Sequence, residues 1–124
     1  MGNKVLYIED NPDNILLVRR VLSARGFEII EALNGFGGIA IAEGQEIDLI
    51  LLDINLPDID GYEVARRLRK SAKASLAYIP IIAITANALK GDAEKALAAG
   101  CDVYMSKPIN IRELAARVTA FLPN

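Results

Sequence analysis

Five residues could do chemistry together if the fold gathers them: Glu9, Asp10, Asp53, Thr85 and Lys107. Carboxylates brought to short range repel one another and raise each other's pKa values, and a divalent cation removes that repulsion. Every ligand on offer is an oxygen, from carboxylate, backbone carbonyl or water, which favours Mg2+ or a similar hard ion over zinc. Mg2+ keeps coordination positions that phosphate oxygens can fill. Thr85 can donate a hydrogen bond to such an oxygen, and Lys107 can neutralise its charge. Asp53 is then the nucleophile, attacking phosphorus to form an aspartyl phosphate. Positioning and charge neutralisation supply most of the catalysis in such transfers. Each residue alone has a plainer explanation. Glu9-Asp10 can open a helix, Asp53 can solvate a strand end, Thr85 can cap a helix, and Lys107 can be a surface lysine. The case for chemistry rests on the elements that bring them together.

Those elements alternate. The run Ile47-Asp48-Leu49-Ile50-Leu51-Leu52-Asp53 is short, apolar and rich in Leu and Ile, which predicts a strand buried on both faces. Pro80 to Thr85 predicts another of the same kind. Lys4-Val5-Leu6-Tyr7-Ile8 and Phe27 to Ala32 predict the first and second strands, the latter near an edge because it carries Glu28 and Glu31. Asp102 to Ser106 is a short fifth strand. Between them lie helical patterns. The first starts at Asn11-Pro12, carries Ile15, Val18, Val21 and Leu22 at core spacing and stops at Gly26. The second, Gly35 to Glu43, contains Gly37 and Gly38, each costing about 1 kcal/mol against Ala in a helix interior. It is expected to be short or mobile, and the glycine pair has no assigned role. The third follows Asp60-Gly61-Tyr62-Glu63, a capping-box pattern, with Arg66, Arg67, Arg69 and Lys70 read as a solvated basic end. The fourth, from Lys90 to Ala99, has few large anchors. The last has the stripe Ile111, Leu114, Ala115, Val118, Phe121 and Leu122, opens at Asn110 with Glu113, and is closed by Pro123. Strand and helix alternating in this way predict one α/β domain over residues 1–124, with a parallel sheet and right-handed crossovers. The carboxyl ends of its strands, where open α/β sheets bind ligands, carry the five residues named above.

Composition excludes other classes. Apolar residues make up 52% of 124, which suits a packed core, and no apolar stretch is long enough to cross a bilayer. The start does not read as a signal peptide. The net charge of −2 argues against nonspecific nucleic-acid binding. The single cysteine, Cys101, allows no internal disulfide and suits a reducing compartment. With no histidine in the chain, Ser-His and Cys-His catalysis, most zinc sites and a phosphohistidine-carrier role fall away.

Glu9-Asp10, Asp53 within Leu51 to Pro57, Asp60-Gly61, Thr85-Ala86 and Lys107-Pro108 together resemble the receiver domain of bacterial two-component response regulators. The match spans essentially the whole chain. It is most similar to single-domain regulators of the DivK type, including the segment Ile84 to Asp92. The resemblance implies a flavodoxin-like (βα)5 doubly wound fold with strand order 2-1-3-4-5. It implies that Asp53 accepts a phosphoryl group from a sensor histidine kinase or a histidine phosphotransfer protein. Mg2+ would be held by Asp10, Asp53 and the backbone carbonyl of Asn55, with Glu9 acting through water. Thr85, Ala86 and Lys107 would hold the phosphoryl group, Tyr104 would be the switch aromatic paired with Thr85, and Lys107-Pro108 would be cis. Glu9 departs from the Asp-Asp pair of many receivers. The implied protein is cytoplasmic, binds neither nucleic acid nor membrane, and acts on itself rather than turning over external substrates. No output domain lies within the 124 residues: if they are the complete chain, the output is expected to be contact with a downstream target protein, and if they are a fragment, the output lies elsewhere.

Three other readings compete. A haloacid-dehalogenase-type phosphatase usually has a second Asp two residues after the nucleophile, where this chain has Asn55. A flavodoxin needs a Ser/Thr/Gly-rich phosphate loop, and Glu9-Asp10-Asn11-Pro12-Asp13 would repel a flavin phosphate. An unphosphorylated receiver serving as a scaffold is the runner-up, weighed against by the intact Asp53, Thr85 and Lys107.

Overall fold

Alternating apolar side chains feed two cores on opposite faces of one sheet. A computed structural model describes residues 3–86 and 91–122. Its elements are β1 (Lys4–Ile8), α1 (Pro12–Ser23), β2 (Glu28–Ala32), α2 (Gly35–Gly44), β3 (Leu49–Asp53), α3 (Gly61–Arg69), a 3-10 turn (Ala74–Ala77), β4 (Ile81–Thr85), α4 (Asp92–Ala99), β5 (Val103–Ser106) and α5 (Ile111–Phe121). The start at Lys90 and the closing Pro123 lie outside the described residues, as does Asn87 to Lys90 of the matching segment. All strand pairs are parallel, in the order β2-β1-β3-β4-β5. β3 and β4 are buried along their whole length, as their unbroken apolar runs predict, and β2 is an edge strand.

Val5, Tyr7, Leu49, Leu51, Ile82 and Ile84 face α1 and α5, where they meet Ile15, Val18, Leu22, Leu114 and Val118. Leu6, Ile8, Ile50, Leu52, Ile81 and Ala83 face the other way, against Ala42, Val64, Ala65, Leu68, Ala96 and Ala99 of α2, α3 and α4. Each fully buried Leu or Ile contributes about 1.5–3 kcal/mol relative to exposure. This two-sided burial fixes the register, since a slip of one residue would exchange the two faces.

The termini of α1 form as the sequence dictates. Asn11 accepts from the backbone N–H groups of Asp13 and Asn14 at 2.8 and 3.3 Å, Pro12 occupies the first turn, and Gly26 takes the positive φ of 90° beyond the end. Asn110 likewise accepts from Glu113 N at 3.0 Å.

Three local expectations are corrected. α2 is a full ten-residue helix, not a shortened one. Its glycines fit close packing: a Cβ at Gly38 would lie 2.4 Å from Ile8 Cδ1, and one at Gly35 would lie 2.2 Å from Ile59 Cγ2. The capping box at α3 is half formed. Asp60 accepts from Tyr62 N at 2.8 Å, but Glu63 turns to Arg66 and Arg67 at 2.9 and 3.0 Å, the charged neighbours one turn on. Arg69 is not part of a solvated face. It donates to the carbonyls of Leu76, Ile79 and Gly100 and pairs with Asp102 at 3.0 Å, gathering four chain segments at the amino-end side of the sheet.

Candidate functional site

Parallel pairing puts the carboxyl ends of β1, β3, β4 and β5 along one edge, and the residues singled out above meet there. Oxygens of Glu9, Asp10 and Asp53 lie within 4.8 Å of one another. Glu9 and Asp53 are buried, and Asp10 is exposed at the mouth. Lys107 reaches in from beyond β5, with Nζ 3.3 Å from Glu9 Oε1 and 3.2 Å from Asp53 Oδ2. Its backbone N–H donates to Thr85 O at 2.7 Å, which fixes where the side chain starts. The Lys107-Pro108 bond is cis. Thr85 is buried at the end of β4.

Glu9 is held from several sides. Its carboxylate accepts from Tyr7 Oη at 3.1 Å, Asn14 Nδ2 at 3.0 Å, Asp10 N at 3.0 Å and Asn11 N at 3.3 Å. Burial pushes its pKa up, but the hydrogen bonds with Asp53 and Asn14, together with Lys107, outweigh that and hold it down at about 2. Asp53 moves the other way. Burial first, then its hydrogen bond with Glu9, raise it to about 7 against the lowering pull of Asn55 N and Lys107. Two carboxylates this close cannot both ionise cheaply, so the pair keeps a proton to higher pH than a separate carboxylate would. The Lys107 ammonium loses by burial but is raised overall by Asp53 and Glu9.

The donor set fits a hard cation. It is all oxygen, two of its carboxylates are buried, and its members already lie close enough to share one ion. The Asn55 carbonyl lies on the connection leaving β3, whose first residues are pinned: Ile54 N donates to Ile84 O at 2.9 Å and Asn55 N to Asp53 Oδ1 at 3.0 Å. Ala86 N, which the resemblance assigns to phosphate, here donates to Asn55 Oδ1 at 3.1 Å.

Tyr104 is half-buried rather than fully turned out. It sits beside Tyr62 and Asp92, and burial and the Asp92 charge raise its pKa. Thr85 and Tyr104 are on adjoining strands, where Thr85 pairs with Ser106 and Ala83 with Tyr104. Cys101 is a packed core residue, its thiol pushed up by burial to about 11. Sequence reasoning missed Tyr7, Asn14 and the Asn55 side chain. Tyr7 and Asn14 look like an ordinary strand and helix residue until the chain is folded around Glu9.

The sheet order and this carboxylate–lysine edge define a receiver of two-component signalling. The chain belongs to that family: residues 5–119 match the model of the response regulator receiver domain. The polar-differentiation response regulator DivK of Brucella anthropi is 38% identical over 122 residues, covering 98% of each chain, as is the DivK of Brucella melitensis. The receiver domain of the sensor histidine kinase PA1611 from Pseudomonas aeruginosa, solved with a magnesium ion in its active site cleft, superposes with a TM-score of 0.88 at 35% identity over the full length of both chains. The receiver domain of Saccharomyces cerevisiae Ssk1, solved with the phosphotransfer protein Ypd1, gives 0.89 at 30% identity over 97% of this chain and 88% of that one. A receiver domain is a phosphorylation-dependent signalling switch, not an enzyme of external substrates. No helix among the described residues is long and apolar enough to cross a membrane.

Proposed function

We propose that this chain, as one receiver domain, takes a phosphoryl group onto Asp53 from the phosphohistidine of a sensor histidine kinase or phosphotransfer protein, and signals through its α4–β5–α5 face. The observation that carries this is Lys107 Nζ bridging buried Asp53 and Glu9 at 3.2 and 3.3 Å, with Asp10 completing an acidic triad. An Asp53 oxygen attacks phosphorus, the O–P bond forms as the donor's N–P bond breaks, and the imidazole nitrogen keeps the electron pair and takes a proton from solvent. Bound Mg2+ supplies the positive charge that keeps Asp53 ionised and offsets the phosphoryl oxygens. Asp10, Asp53 and the Asn55 carbonyl would hold it, with Glu9 acting through water. Lys107, Thr85 and Ala86 N hold the transferred group, and Ala86 N must leave Asn55 Oδ1 to do so.

The new group brings roughly −1.5 to −2 charges. Drawing Thr85 towards it opens space beside β4 that half-buried Tyr104 can enter, reshaping the surface around α4 and β5. The downstream partner is a protein, and the setting is the cytoplasm. A turnover phosphatase is disfavoured because Asn55, with its N–H on Asp53 and its oxygen on Ala86 N, offers no acid or base.

The test is intact mass after incubation with acetyl phosphate, with and without Mg2+, for wild type and Asp53→Asn. One phosphoryl adduct requiring both Mg2+ and Asp53 is expected. No adduct, together with no binding of beryllofluoride, would leave the scaffold reading.

A further inference from the structure

The connection from β3 to α3 carries Asn55, and its two ends are explained by the site. Ile54 and Asn55 are pinned as described, and Gly61 N donates back to Ile54 O at 3.1 Å. Gly61 has no room for a side chain, since a Cβ there would lie 2.5 Å from Ile54 Cα and 2.8 Å from Asp53 O. The middle of the connection is fastened elsewhere. Asp58 accepts from Gly35 N at 2.8 Å and Phe36 N at 3.0 Å, so one carboxylate forks over the first turn of α2. Anionic oxygen is favoured at that helix end, and hydrogen bonds from both N–H groups help hold the Asp58 carboxyl below its ordinary range against desolvation. Ile59 packs so closely on Gly35 that no Cβ fits between them. One turn on, Gly38 rests on Ile8, the residue before Glu9. The path therefore closes: Glu9, Ile8, α2, Asp58, the connection, Asp53.

We infer that Asp58 is a positioning residue for the acceptor site: seated on the first turn of α2, it fixes the connection that holds Asn55 beside Asp53. This rests on the acceptor reading above and adds a residue to it. Coupling between two sites is reciprocal. Occupying the acceptor site must then tighten the hold of Asp58 on Gly35 and Phe36.

A helix cap with no other role is the plain alternative, and α2 carries its own control. Asn34 also caps α2, accepting from Gly37 N at 2.7 Å, and it belongs to the β2–α2 turn rather than to the acceptor connection. Mg2+ titrations followed by amide NMR on wild type, Asp58→Ala and Asn34→Ala separate the two roles. Asp58→Ala is expected to weaken Mg2+ binding by about fivefold or more, while Asn34→Ala leaves it at the wild-type value. Equal Mg2+ affinity in the two folded variants overturns the inference. Should Asp58→Ala not fold, wild-type hydrogen exchange decides. Mg2+ with beryllofluoride slows exchange at Gly35 and Phe36 more than at Gly37 if Asp58 couples the sites, and an even response across these amides overturns it. Wild-type protein that neither binds Mg2+ nor accepts phosphate would instead refute the acceptor reading itself.

Discussion

α2 and α4 pack on the same face of the sheet, yet they differ both in intrinsic helix propensity and in how they are attached. α2 has glycines inside and an apolar surface nearly all round. It is fastened at both ends from distant parts of the chain. Asp58 takes its first N–H groups, and Lys73 Nζ takes the carbonyl of Ala42 at 2.9 Å and that of Gln45 at 2.5 Å. α4 buries only Ala96 and Ala99 among its residues and leaves Leu97 58% exposed. Gly91 opens it with no side-chain cap among the described residues. At its far end, Arg69 holds the carbonyl of Gly100 at 2.9 Å. Intrinsic propensity favours α4, with its Ala, Leu, Glu and Lys, over glycine-bearing α2, and tertiary attachment runs the other way. The helix fastened at both ends from distant segments can position a site, and the helix anchored in the core by two alanines can respond to it.

Removing the Arg69 attachment at the carboxyl end of α4 should have the largest effect. Arg69→Ala leaves three inward-facing carbonyls and Asp102 without their shared donor. Loss of about 3 kcal/mol is expected in denaturant unfolding, and a loss under 1 kcal/mol would mean that α4 is anchored otherwise.

On the α2 side, Gly38→Ala should cost about 1–3 kcal/mol, because the new methyl meets fully buried Ile8 at 2.4 and 2.7 Å. Helix propensity alone predicts a gain of about 1 kcal/mol. Gly44→Ala is the counterpart. Nothing lies within 4 Å of its Cβ position, its φ is not positive, and a gain of about 0.5–1 kcal/mol is expected. If the two substitutions behave alike, close packing is not what requires glycine at position 38.

A smaller effect separates the site from both helices. In metal-free buffer Asp53 holds its proton up to about pH 7, above an ordinary carboxyl at about 4. The folded state therefore binds more protons than the unfolded state across that window. The Asp53 contribution to stability is complete below the lower value and is lost as pH rises through the higher one. Asp53→Asn should flatten that fall in thermal melts between these limits, and Mg2+ should oppose it in wild type. An unchanged slope in the variant would place the titration elsewhere.

The strands and their carboxyl ends were legible because burial on two faces writes itself as unbroken apolar runs, as at Leu49 to Leu52 and Ile81 to Ile84. Gathering Glu9, Asp10, Asp53, Thr85 and Lys107 followed from parallel topology alone. What stayed hidden were bonds across large sequence gaps. Arg69 looked like one more cation in a basic run, and its role appears only when the Gly100 and Ile79 carbonyls fold onto it. Asp58 and Lys73 carry no sequence pattern that singles them out, and Gly38 reads as a helix weakness. Each is decided by a partner that local pattern does not name. Glu63 failed as a cap partner for the opposite reason, because two arginines within a turn compete for its carboxylate.

The most direct test is amide-resolved hydrogen exchange of the protein with Mg2+, with and without acetyl phosphate, in wild type and Asp53→Asn. Phosphorylation is expected to change exchange across residues 91–106 well beyond any change in the carboxyl half of α2, from Ile39 to Gly44, and Asp53→Asn should abolish the difference. Equal changes in both helices, or a response that survives Asp53→Asn, would contradict the account.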